Sequence, residues 1–116
     1  MTPSLDELYD QIIKWQTETF HEHQTPQGMI QHLKKEIAEL ENDPYDLSET
    51  VDIIILAFGI SNRQGFSPES VRTAIAQKMD INRSRTWGDP DQDGVIEHIK
   101  KPEEPPILSR KHKEQP

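Results

Sequence analysis

Apolar positions return at helical spacing four times along the chain. Leu5, Leu8, Ile12 and Trp15, continued by Thr19, follow one helix face, and Ser4-Leu5-Asp6-Glu7 ahead of them reads as a capping box, so a first helix is predicted from about 5 to about 22. Thr25-Pro26 starts a second: threonine suits the N-cap, proline the first helical position, and Ile30, Leu33, Ile37 and Leu40 form one stripe ending near Asn42. Asp43-Pro44 breaks it. Asp46, with Glu49 three residues on, can cap a third helix that runs through Val51–Ile60 toward Gly65, a residue suited to the left-handed C-terminal position. Ser67-Pro68 opens a fourth, marked by Val71, Ile75, Met79 and Asn82 and running to about Arg85 or Trp87. Four helices with short connections and no strand-like alternation predict an all-α, four-helix bundle-like fold.

The third helix is apolar nearly all round. At 100° per residue Leu56 points between Glu49 and Asp52, while Val51, Ile54, Ile55 and Phe58 cover the other side. An ionised carboxylate in such surroundings is costly unless something compensates it. Asp52, which precedes seven apolar residues and a glycine, is the acid hardest to place on a wet surface.

Glu36 and Glu39 are three apart on the second helix, Glu49 and Asp52 three apart on the third, so each pair projects from one side of its helix. Antiparallel neighbours would bring four carboxylates into one crevice, the ligand type that Mg²⁺ or Mn²⁺ selects. The bland alternative is that Glu49 only completes the cap with Asp46, while Glu36 and Glu39 are solvated positions near Lys35.

Composition narrows the setting. At 116 residues the chain fits one domain, expected over 1–99, with a flexible tail over 100–116 where Pro and Lys accumulate and an irregular segment from 88 to 99 before it. Hydrophobic residues make up only 32%, so a lone chain would bury little and a homo-oligomer is expected. No cysteine is present, which removes disulfides and thiolate zinc sites and makes a reducing cytoplasm the default compartment. The N-terminus lacks a basic-then-apolar leader and the longest apolar run is too short for a bilayer, so no membrane partner is expected. Net charge is -8, and -10 over the first 99 residues, a surface that repels nucleic-acid polymers. A phosphate compound could bind only with a divalent cation mediating.

With these residues in view, the chain resembles the all-alpha, MazG-like nucleoside triphosphate pyrophosphohydrolases, whose signature is Glu-x-x-Glu on one helix and Glu-x-x-Asp on the next: here Glu36-Ile-Ala-Glu39 and Glu49-Thr-Val-Asp52. The likeness extends through Lys78 to Trp87 (KMDINRSRTW) and Asp93 to Ile99 (DGVIEHI), which look like the phage and bacterial dATP/dGTP diphosphohydrolase branch. It covers roughly residues 10 to 99. One departure is that many relatives begin the first motif with two adjacent acids, where this chain has Lys35 before Glu36. The resemblance implies metal-binding and catalytic roles for Glu36, Glu39, Glu49 and Asp52, with Mg²⁺ or Mn²⁺ as cofactor and Glu39 a candidate to orient the attacking water. It further implies attack at the α-phosphorus of dGTP or dATP, phosphate contacts from Lys78 and Asn82 assisted by Arg83 or Arg85, and assembly into homodimers or homotetramers. Ile12 and Trp15 are base-binding candidates, although a tryptophan at helical spacing also suits a core.

Other signals carry less. Asp89 to Gly94 imitates the start of an EF-hand loop, but Lys100 stands where the bidentate glutamate is required, so it reads as a turn. His21 and His23, two apart, diverge on a helix and have no third ligand spaced to join them. The competing class is a non-catalytic helical dimerisation or nucleotide-binding module, in which the acids serve only as caps and ion pairs.

Overall fold

A computed structural model describes residues 1–100. Among the described residues there are four α-helices, α1 (Leu5–Phe20), α2 (Pro26–Asn42), α3 (Leu47–Arg63) and α4 (Pro68–Ser84), with a single 3-10 turn at His21–His23. The predicted tail beyond Lys100 lies outside the described residues.

Local chemistry sets the helix starts. The Ser4 hydroxyl accepts from Glu7 N–H while the Glu7 carboxylate accepts from Ser4 N–H, completing the capping box. Thr25 caps α2 through Gly28 N–H, and Ser67 accepts from Ser70 N–H at the start of α4. At α3 the cap differs from the expected reciprocal box. Asp46 takes the N–H and hydroxyl of Ser48, and those two bonds hold its carboxyl below the usual range, whereas Glu49 is turned toward α2. The first helix ends two residues before the expected limit: its last turn tightens into the 3-10 segment, and His21 takes a positive φ of 50°. Gly65, at φ 94°, follows α3 as its position predicts.

The chain divides into two compact units, Met1–Val71 and Arg72 onward. In the first, α3 packs against α2 and, less extensively, α1. Its core is small: Tyr9, Met29 and Leu56 are the buried apolar residues, and the Tyr9 and Phe58 rings stack at 4.2 Å. Many predicted stripe positions are only half-buried, and Leu5, Trp15, Ile30, Ile37, Val51 and Ile54 are exposed. The inward arc of α1 is occupied instead by Tyr9 and by Gln16, which is only 2% exposed. Gln16 donates to the Ile55 carbonyl at 3.4 Å and fills the space left open at Gly59. Its backbone carbonyl accepts from Arg63 Nη2.

The second unit carries most of α4 and a bridged loop. The segment expected to be irregular is partly ordered: Trp87 pairs with His98 in one antiparallel bridge, Gly88 N–H donates to Glu97 O and Ile99 N–H to Thr86 O. Asp91 turns the connection by accepting from Asp93 N–H and Val95 N–H, the local behaviour expected of an Asx turn.

Candidate metal centre

Helices α2 and α3 run antiparallel, since Glu36 meets Glu49 near one end of the pair and Met29 meets Gly59 near the other. Seven residues separate the two levels on α2 and ten on α3, about 10 Å and about 15 Å of rise. At the first level Glu36, Glu49 and Asp52 each offer a carboxylate oxygen within 4.8 Å of the others. Glu39, one turn beyond Glu36, lies against Glu49. The four predicted acids are therefore brought together.

Their environments differ in a way that corrects the expectation for Asp52. That residue shares the inward arc of α3 with Leu56 and Gly59, yet it is exposed, because this side of the helix is open near its N-terminus. The withdrawn acids are Glu36 and Glu49, both half-buried. Each holds one buried carboxylate oxygen, Oε2, with no hydrogen-bond partner. Loss of hydration, then the neighbouring Glu39, then Glu36, push the Glu49 carboxyl up to about 7. Such a cluster is unfavourable as it stands, since like charges converge and buried oxygens go unsatisfied. It fits a hard divalent cation: an all-oxygen donor set, converging atoms and unspent acceptor capacity. Glu36 Oε1 is engaged separately, 3.1 Å from His32 Nε2 one turn earlier. Sequence reading missed His32, although its four-residue offset from Glu36 was visible.

The other predicted site residues fall elsewhere. Lys78, Asn82, Arg83 and Arg85 all belong to the second unit. There Arg85 Nη1 donates to Asn82 Oδ1 at 3.3 Å, Arg83 pairs with Asp80 at 2.7 Å, and Trp87 Nε1 donates to the Asn82 carbonyl. Lys78 is half-buried. In the first unit Ile12 is half-buried, and Trp15, 55% exposed, meets Phe20 edge-on at 5.4 Å. That exposure sets Trp15 apart from a core tryptophan.

Residues 8–105 match the dATP/dGTP pyrophosphohydrolase family. The chain belongs to that family. As a dATP/dGTP pyrophosphohydrolase family member it is an enzyme, and the reading as a bare scaffold is set aside. A dATP/dGTP diphosphohydrolase of Salmonella phage PMBT28 is 32% identical over 99 residues, covering 84% of this chain and 32% of that protein. One from cyanophage S-2L is 33% identical over 101 residues, covering 85% of this chain and 91% of its own. The chain thus spans about a third of the first relative and nearly all of the second. The solved structure of the cyanophage S-2L MazG-like pyrophosphohydrolase, bound to dGDP and three catalytic Mn²⁺ ions per active site, superposes with a TM-score of 0.68 at 31% identity, covering 87% of this chain and 98% of that one. The MazG-like fold is shared. Among the described residues no helix is long and apolar enough to cross a membrane.

Proposed function

We propose that this chain hydrolyses dGTP and dATP to the monophosphate and pyrophosphate, on Mg²⁺ or Mn²⁺ held by Glu36, Glu49 and Asp52 with Glu39 beside them. The observation that carries this reading is the convergence of three carboxylates within 4.8 Å, two of them half-buried with an unpartnered oxygen. When bound, divalent ions there lower the pKa of water and offset phosphate charge, which an acidic protein cannot do by itself.

The remaining work falls to side chains. Glu36, Glu49 and Asp52 would hold the cation, Glu49 as its deprotonated carboxylate, which the cation's charge would favour. Glu39, at the exposed rim of the group, orients the water toward the α-phosphorus and accepts its proton as the bond from that phosphorus to the α,β-bridging oxygen breaks and the oxygen leaves with pyrophosphate. Lys78 and Asn82, one turn apart, contact the phosphates, with Arg83 or Arg85 assisting; the Asn82–Arg85 hydrogen bond supports treating those two as a unit. Ile12 and the exposed ring of Trp15 offer the purine an apolar edge and a stacking face. The exposed Leu47, Val51 and Ile54 on the outer side of α3 support a homodimer or homotetramer in which that side is covered. The absence of cysteine supports a cytoplasmic setting, that of the host where a phage encodes the protein.

The test is a panel of common ribo- and deoxynucleoside triphosphates with Mg²⁺ or Mn²⁺, resolving monophosphate, diphosphate, pyrophosphate and free phosphate. The expected products are dGMP or dAMP with pyrophosphate, lost on chelation and in Asp52→Asn. Because Asp52 is exposed, that variant should keep its metal-free stability within about 0.5 kcal/mol of the parent. Release of free phosphate, or turnover indifferent to chelation, would overturn the reading.

A further inference from the structure

The fold treats the two oxygens of Glu36 differently. Oε1 lies 3.1 Å from His32 Nε2, while Oε2 is buried without a partner. With Glu36 as an ionised metal ligand, which has no proton to give, the imidazole Nε2–H is the donor and Glu36 the acceptor. The side chain of Glu36 is 13% exposed and that of His32 57%. The contact is therefore a bond from a solvent-side ring onto a largely withdrawn carboxylate. Both residues sit on α2 at i and i+4, so the helix itself fixes their separation.

We infer that His32 is a positioning residue for the cation site: by holding Glu36 Oε1 from the solvent side, it fixes the rotamer that leaves Oε2 for the metal between α2 and α3. The inference rests on the metal reading above. Two features of the cluster require such a support. Glu36 faces Glu49 and its neighbours Glu39 and Asp52, all carboxylates; their mutual repulsion turns an unsupported glutamate outward to water. The flanking Lys34 and Lys35 are exposed, whereas His32 supplies a short, aimed donor bond. A partner of this kind orients the ligand and raises its affinity for metal without contacting substrate.

The experiment is a Mn²⁺ titration of the nucleotide-free full chain followed by thermal unfolding, for the parent, His32→Ala and His32→Gln. Glutamine retains an N–H donor that can reach a carboxylate one turn on. The expected result is that His32→Ala needs about 10-fold or more Mn²⁺ for the same rise in Tm, that its Tm in chelator matches the parent's, and that His32→Gln restores most of the sensitivity. Equal Mn²⁺ response in the parent and His32→Ala overturns the assignment while leaving the metal site standing. Equal weakening in both variants overturns the donor role. No Mn²⁺ response in the parent overturns the metal reading and this inference with it.

Discussion

Gly59→Ala tests the packing that brings the helices of the first unit together. A methyl group built on Gly59 would lie 2.5 Å from Gln16 Nε2, 2.5 Å from Gln16 Oε1 and 2.5 Å from Met29 Cε. Non-bonded carbon atoms settle near 3.5–4.0 Å, so the Met29 methyl would have to retreat by about 1 Å, and the amide by a comparable amount. Both are ends of flexible side chains, but Gln16 and Met29 are each only 2% exposed, which leaves them little space to retreat into. Overpacking of this kind costs about 1–3 kcal/mol. Replacing a mid-helix glycine by alanine returns about 1 kcal/mol of helix propensity. The clash wins, with a net loss of about 1 kcal/mol and a fall in Tm of about 4–8 °C for a domain of this size. Urea unfolding without metal, at one fixed protein concentration, measures it as a lower midpoint at unchanged slope. Gln16→Ala in the same chain opens the space, so the double variant should lose less than the sum of the singles by about 0.5 kcal/mol or more. A Gly59→Ala chain as stable as the parent would refute the reasoning.

Two further outcomes are expected. Glu49 has a folded-state pKa near 7 against an ordinary value of 4.5, so between these limits the folded protein binds more protons than the unfolded chain and its metal-free stability falls as pH rises; Glu49→Gln should flatten that part of the Tm-versus-pH curve, and an identical slope in the two chains would show that the group titrates normally. Ile54 is 46% exposed on the outer side of α3, so Ile54→Lys should leave the fold of the lone chain intact and lower the assembly state seen by light scattering; an unchanged mass would move the self-association surface elsewhere.

How much of this was legible before the structure depends on the range of each interaction. The helix starts were readable because Ser4, Thr25, Asp46 and Ser67 act on N–H groups two or three residues away, and such contacts are encoded in adjacent letters. The acids were readable for the same reason: three-residue spacing puts Glu36 with Glu39 and Glu49 with Asp52 on a common side of each helix. His32 was equally local to Glu36, since the i,i+4 pair needs no tertiary information; what spacing could not show is that Glu36 is withdrawn from water while His32 is not. Periodicity also identified the apolar stripes, but not which members reach the core. Leu5, Ile30 and Ile37 stay exposed while Gln16 is sealed in, because its side chain fills the space where Gly59 has no side chain, on a helix 43 positions further along the chain.

Only the tertiary arrangement decided the character of the site. The sequence determined that four carboxylates stand on two neighbouring helices; the antiparallel approach of α2 and α3 determined that Glu49 carries the raised pKa and Asp52 faces water. Desolvation depends on what covers a residue from another helix, and no spacing along a single chain segment contains that quantity. The Trp87–His98 bridge makes the same point: it joins residues eleven positions apart through a segment whose composition reads as loop, because a backbone pairing is chosen by the geometry of both ends and leaves little trace in the residues between them.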